Sequence, residues 1–287
     1  MKTIKVKTPA KINLTLEVMK QRPDGFHELQ SIMQAISLYD YITITAETAS
    51  KTEITLSGTS DIIPYNEKNL AYKACALFLD KIEGQYKIHI HIEKNIPIEA
   101  GLAGGSANAA GVFYGLNKIF NNVFTSEELS ELCSQIGSDV AFCLFGGTKL
   151  ATSRGEVLKK VETPKLKLLL IKPKTFGISA KEAYQKFDKL KEKSPLNATF
   201  NMLMAINNNQ DITPFLANDL ERAIDKDYPQ IRQLKEYMLK LGCKNALMSG
   251  SGSTVFGLLD EFIDLPEGLN AECFLAESIE HGVRVVN

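Results

Sequence analysis

Ala100-Gly101-Leu102-Ala103-Gly104-Gly105-Ser106 runs without a break into apolar residues at Ala109, Val112, Phe113, Leu116, Ile119 and Phe120. The spacing of the second set is that of a helix burying one face. Glycines directly ahead of such a helix let backbone N–H groups converge, and the helix N-terminus adds partial positive charge, so a phosphate chain fits there. The same glycines also permit close packing of the helix on a neighbour, and an isolated Gly-x-x-Gly-Gly does not separate the two readings. The segment is not a Walker A loop, because no Gly-Lys-Ser/Thr follows, and no Gly-x-Gly-x-x-Gly is present.

Upstream, residues 86–93 alternate with Ile88, Ile90 and Ile92 facing inward, which predicts a strand. Two strand-like runs open the chain. The second, 11–18, alternates strictly: Ile12, Leu14, Leu16 and Val18 on one face, Lys11, Asn13, Thr15 and Glu17 on the other, so Lys11 and Asn13 point the same way. Pro23-Asp24-Gly25 is a turn signal, since proline presets φ and glycine accepts a positive one, and Phe26 and His27 follow it. Further strands are expected at 41–46 and 53–56, and a helix at 69–80. Downstream, Thr125 and Glu128 have capping-box spacing for a helix that stops at Gly137, with Asp139 just beyond.

The second half opens with an apolar strand at 166–171. A Ser179-to-Glu182 capping box then starts a helix containing Tyr184, and another helix at 229–241 ends at Gly242. Ser249-Gly250-Ser251-Gly252-Ser253-Thr254 lies between strand-like runs at 247–248 and 255–259. It reads either as a hairpin loop or as a loop closing over an anion or over the first glycine segment. Residues 188–217 carry little pattern beyond an asparagine-rich stretch, 207–210, that reads as exposed loop. Strands and helices mix without the regular alternation of a doubly wound sheet. The fold class expected is α+β in two domains, 1–162 and 163–287.

With 287 residues, 44% hydrophobic and 23% charged, the chain has material for sizeable cores. A formal net charge of -1 supplies no overall field toward nucleic acid or an anionic membrane. Four lysines and no apolar run in the first eleven residues are unlike a signal peptide or anchor, and no stretch approaches the roughly 20 apolar residues of a span, so a cytoplasmic protein is expected. The five scattered cysteines form no C-x-x-C pair and read as free thiols.

Two glycine loops in different halves point to a cleft between domains. Phosphoryl transfer to an alcohol needs a carboxylate to take or orient the hydroxyl proton and a cation for transition-state charge, and Asp139 and Lys11 are of the right types. By spacing alone, Asp139 reads as a helix cap and Lys11 as a solvated strand lysine, since those roles are the commoner ones. His89 and His91, two apart on a strand, share a face with Lys87 and Glu93 and read as a solvent-facing strand edge rather than a metal pair. His27, beside an aromatic residue after a turn, reads either as a ring that stacks a base or as a satisfied loop histidine.

Pro9-Ala10-Lys11-Ile12-Asn13-Leu14, then Pro97-Ile98-Glu99-Ala100-Gly101-Leu102-Ala103-Gly104-Gly105-Ser106-Ala107-Asn108-Ala109-Ala110, then Met248-Ser249-Gly250-Ser251-Gly252-Ser253-Thr254 together resemble the three ordered motifs of the GHMP kinases. The resemblance implies an N-terminal domain like the second domain of ribosomal protein S5 and a ferredoxin-like C-terminal domain. It further implies ATP along residues 97–107, Mg2+ with it, Asp139 as catalytic base and Lys11 beside it. Asp24-Gly25-Phe26-His27-Glu28-Leu29-Gln30-Ser31 and Gly137-Ser138-Asp139-Val140-Ala141-Phe142 resemble a member whose small-molecule substrate has a cytidine end, read by His27, Asn13 and an aromatic partner, Tyr184. The rival readings are a GHMP kinase for homoserine, mevalonate or a sugar, and a non-catalytic nucleotide sensor of the same fold. Ala103 and Ala107 stand where the family commonly has Gly and Ser, Ala141 replaces a usual proline, and Phe26 stands where tyrosine is frequent. Neither the oligomeric state nor the protein ligands of Mg2+ follow from the sequence.

Overall fold

The protein is described here from a computed structural model, which covers residues 1–190 and 197–286; Lys191 to Leu196, within the weakly patterned 188–217 stretch, lie outside the described residues. The first part of the chain runs β1 (Lys2–Gln21), β2 (His27–Thr48), β3 (Glu53–Gly58), α1 (Leu70–Asp80), β4 (Tyr86–Glu93), α2 (Gly104–Ile119), α3 (Ser126–Ile136), α4 (Val140–Phe145), β5 (Thr148–Thr152) and β6 (Val157–Val161). It continues through β7 (Lys167–Pro173), α5 (Ala180–Phe187), α6 (Ala198–Asn207), β8 (Ala217–Asn218), α7 (Asp219–Ile224), α8 (Pro229–Lys240), β9 (Ala246–Met248), β10 (Val255–Leu259), β11 (Ala271–Glu277) and β12 (Arg284–Val285). The larger sheet has the order β12-β1-β2-β4-β3, with β5 and β6 continuing from one end of β2 and β8 parallel to β1; the smaller is antiparallel, β11-β7-β10-β9. The α+β expectation holds.

The two opening runs are one 20-residue strand. The ladder between β1 and β2 shifts register at Pro9/Ala10, where proline lacks the N–H a ladder needs, and again between Asn13 and Thr15. The second shift re-aims the strand. Ile12 and Leu14 enter the core beneath α1 and α2, with Phe78, Phe113 and Phe142, whereas Leu16 and Val18 enter a second core with Leu169, Phe187 and Met238. The single apolar face read from alternation thus serves two cores. Nor is the polar face wet: Lys11, Asn13, Thr15 and Glu17 are all buried.

Local signals place the helices. Asn69 caps α1, and the Thr125–Glu128 box closes in both directions, at 3.2 and 2.8 Å. At α5 Ser179 accepts from the Glu182 N–H, but the Glu182 carboxylate receives the Tyr228 hydroxyl. β4 lies between β2 and β3, so His89 and His91 are on an inner strand, not an edge; their rings bond Thr55 and Ser57. The chain after residue 196 forms α6, which returns to the first core through Met202, Ala205 and Ile206, and the asparagine stretch is exposed from the end of that helix. Among the described residues no helix is long and apolar enough to cross a membrane.

Candidate active site

α2 begins with Ala103 in the left-handed conformation, φ 58°, and no side chain caps the first turn. Its leading N–H groups, on Gly104, Gly105 and Ser106, therefore have no intrahelical acceptor and no side-chain one. The loop before it also holds Glu99 and Gly101 at positive φ. Residues 97–106 line a cleft of about 1060 Å³ together with Lys11, Asn13, Phe26, His27, Asp139, Tyr184, Gly250 and Ser251. Ala107 does not line it: it is fully buried on the inward side of α2. Nor do Ser249, Gly252, Ser253 and Thr254. Three of these four hold the second glycine loop in place. Ser249 Oγ donates to Gly101 O at 3.0 Å, Thr254 N to Ala100 O at 3.3 Å, and Ser253 Oγ to Phe176 O at 3.0 Å. The second loop thus closes over the first, and a Cβ on Gly101 would stand 1.9 Å from Ser249 O, so no other residue fits that approach.

Lys11 reaches this place because β1 passes under the loop; its N–H bonds Leu102 O at 3.2 Å. The ammonium donates to Asn13 Oδ1 at 2.8 Å and lies 3.5 Å from Asp139 Oδ2. Asp139 stands at the N-cap position of α4 but makes no capping bond with its side chain, which leaves the carboxylate, 29% exposed, to face Lys11 and the cleft. Asn13 is spent internally, accepting from Lys11 and donating to Ser31 Oγ at 2.7 Å.

His27 opens β2 rather than riding on a loop, and its ring is buried. Its Nε2 bonds Asp188 Oδ1 at 2.7 Å, Phe187 meets it edge-on, and Tyr184 stacks on it at 5.1 Å and 18°. No planar group fits between rings already in contact, so a ligand ring would meet only the faces of the cluster that line the cleft. Burial raises the Tyr184 phenol, and the Asp139 carboxylate nearby adds to it. Phe26 is 51% exposed, with the Arg154 guanidinium 4.9 Å over its ring. Arg154, Lys94, Asn108 and Asp188 also line the cleft and are not among the residues the sequence singles out; of these Asn108 lies inside the second family motif, and Asp188 follows Tyr184 by one helical turn. Ile63, Pro64 and Leu70 add apolar surface to the same cleft. Among the described residues no three His, Cys, Asp or Glu side chains cluster as a metal site.

An uncapped helix start, a lysine–carboxylate pair and aromatic and apolar side chains in one cleft are features that suit a small-molecule kinase. The model of the GHMP kinases N terminal domain matches residues 69–147 and that of the GHMP kinases C terminal matches residues 196–270. The chain belongs to the GHMP kinase family. It is 46% identical over 253 residues to the 4-diphosphocytidyl-2-C-methyl-D-erythritol kinase of Desulfitobacterium hafniense, covering 87% of this chain and 85% of that one. A crystal structure of 4-(cytidine 5'-diphospho)-2C-methyl-D-erythritol kinase superposes with a TM-score of 0.74 at 28% identity, covering 96% of this chain and 99% of the other. Homoserine kinase from Cytophaga hutchinsonii superposes at 0.78 with only 20% identity, over 100% and 98% of the chains, so the fold alone does not choose the alcohol.

Proposed function

We propose that the protein transfers the γ-phosphoryl group of ATP to the 2-hydroxyl of 4-diphosphocytidyl-2-C-methyl-D-erythritol, giving the 2-phosphate and ADP in non-mevalonate isoprenoid precursor synthesis. The observation that carries this reading is the Lys11–Asp139 pair, 3.5 Å apart, in one cleft with the glycine segment that opens α2 and the His27–Tyr184 ring stack. The cleft's volume of about 1060 Å³ lies at the upper end of the usual span of small-molecule pockets, roughly 300–1,000 Å³.

In this reading residues 97–106 hold the triphosphate on the free N–H groups of α2, with the purine against Ile63, Pro64 and Leu70. Asp139 accepts the proton of the attacking hydroxyl, and Lys11, fixed by Asn13, stabilises the charge that develops on the transferred group. Phe26, His27 and Tyr184 take the cytidine end. Mg2+ accompanies ATP and neutralises phosphate charge. This ion is commonly held by phosphates, waters and one or two carboxylates, and Ser106 and Asp139, both on the cleft wall, are the protein ligands we assign to it. We divide the chain at 162/163, with the later part closing the cleft through residues 249–254. We place the reaction in the cytoplasm, where the five free cysteines stay reduced.

The test is ADP release with ATP and magnesium, comparing the cytidyl substrate with homoserine, mevalonate and galactose. Turnover of the cytidyl substrate alone is expected. Turnover of another of these alcohols in its place would refute the cytidine assignment, and none at all would favour a nucleotide sensor.

A further inference from the structure

Asp40 lies on β2, distant in sequence from every motif of the cleft, and its side chain is 0% exposed. Its four contacts converge on one place. Oδ1 accepts the backbone N–H groups of Asn95 and Ile96, both at 2.7 Å. Oδ2 accepts Lys94 Nζ and Asn108 Nδ2, both at 2.7 Å. Asn95 and Ile96 directly precede Pro97, and Asn108 directly follows Ala107. One carboxylate therefore ties together the two ends of the segment 97–107.

The Lys94 ammonium, which also donates to Ile96 O, sits under the first residue of α2: a Cβ on Gly104 would come 2.8 Å from it. Without Asp40 that buried ammonium keeps, among the described residues, only the Ile96 carbonyl as acceptor, leaving an unpaired charge beside the cleft that Lys94 lines. Asp40 pairs with Thr8 of β1, and from the next residue, Tyr41, β2 is paired on both sides, by β1 and β4, so Asp40 has a firm anchor.

We propose that Asp40 is a positioning residue for the nucleotide. It fixes both ends of the phosphate loop and the Lys94 ammonium, setting the α2 N–H groups toward the phosphates without touching the ligand. The inference rests on reading residues 97–106 as the phosphate site.

Two variants test it. In Asp40→Asn the amide oxygen still accepts from Asn95 and Ile96, but its NH2 faces Lys94 and Asn108, which are themselves donors. Asn108→Ala frees the α2 arm alone and leaves the Asp40–Lys94 pair intact, so it reports even where Asp40→Asn fails to fold. Each is expected to raise KM for ATP about tenfold, equivalent to ~1.4 kcal/mol, with KM for the alcohol and kcat at saturating ATP within about twofold of the parent. The double variant is expected to be no worse than Asp40→Asn alone, because both act in one network. A lower melting temperature with KM for ATP unmoved in Asn108→Ala would overturn the proposal in favour of a purely structural ion pair. The underlying reading has its own readout, hydrogen exchange at the amides of residues 104–106 in the parent protein with and without ATP. Absence of protection removes the phosphate site and the proposal with it. Protection with KM unmoved removes the proposal alone.

Discussion

Asp139 and Lys11 have ordinary alternatives in the sequence, a cap and a solvated lysine, and the structure discards both. The Asp139 carboxylate makes no cap bond, and the Lys11 ammonium is buried between Asn13 and Asp139. A carboxylate withheld from capping is free for proton transfer. Asp139→Ala should therefore lower kcat by roughly 10²–10⁴-fold with little change in KM for ATP; near-normal turnover in a steady-state assay would remove Asp139 from that role. Ala103 presents the opposite case, a residue retained at some cost. It occupies the left-handed region, where an L side chain loses ~1–2 kcal/mol, while glycine loses ~0.4–1 kcal/mol through its freer unfolded chain. Ala103→Gly is accordingly expected to stabilise the protein by about 0.5–1 kcal/mol in urea titration; a loss of stability would show that the Ala103 methyl group packs well enough to outweigh its φ.

β1 shows how an element acquires functions its pattern conceals. The register shift at Asn13/Thr15 lets one strand feed two cores, and its polar side is covered by the cleft and by α6. α6 itself escaped the sequence reading because its start is marked from outside: Glu17 accepts the N–H groups of Asn197, Ala198 and Thr199 at 2.6–3.0 Å. Burial alone would raise the Glu17 carboxyl, but the bonds from Asn197, Thr199 and Ala198 outweigh it and hold the group below its ordinary value. The unfolded chain then takes up its proton first on acidification, near pH ~4.3. The stabilisation is complete above that pH and is lost as pH falls through the lower folded value. Glu17→Gln should be about 1–2 kcal/mol less stable at pH 7, with the difference shrinking below about pH 4.3. Urea titrations across pH check this, and a pH-independent difference would show that shape rather than charge holds α6.

Across the molecule, the two glycine loops join the halves of the chain beside the Lys11–Asp139 cleft. Asn218, paired through β8 to β1, reinforces the join: its amide donates to Met248 O and Gly250 O at 2.7 and 2.8 Å. Gly101→Ala would drive a methyl into Ser249 O and displace one loop from the other. Because a misplacement of about 1 Å can cost ~10²-fold, kcat should fall roughly 10–100-fold. Gly242→Ala is the control, with a positive φ of 98° but nothing within 4 Å; it should lose about 1 kcal/mol of stability and keep its activity. Equal activity in the two variants would mean that the loops need not touch for turnover.

Much of this protein is written locally. The uncapped glycine helix, the Thr125–Glu128 box, the Pro23-Asp24-Gly25 turn and the strand 86–93 follow from short-range rules of φ, capping and alternation, and three motifs in order imply the family. Contacts of long sequence separation have no such signature. Lys11 meets Asp139, Asp40 meets Asn108, His27 meets Asp188 and Glu17 meets Asn197 only after the sheets form. In one dimension a buried carboxylate and a solvated one look alike, because burial is a property of what packs against a side chain, not of the side chain. For that reason the sequence carries the site's inventory, and folding decides which charges lose their water and become its machinery.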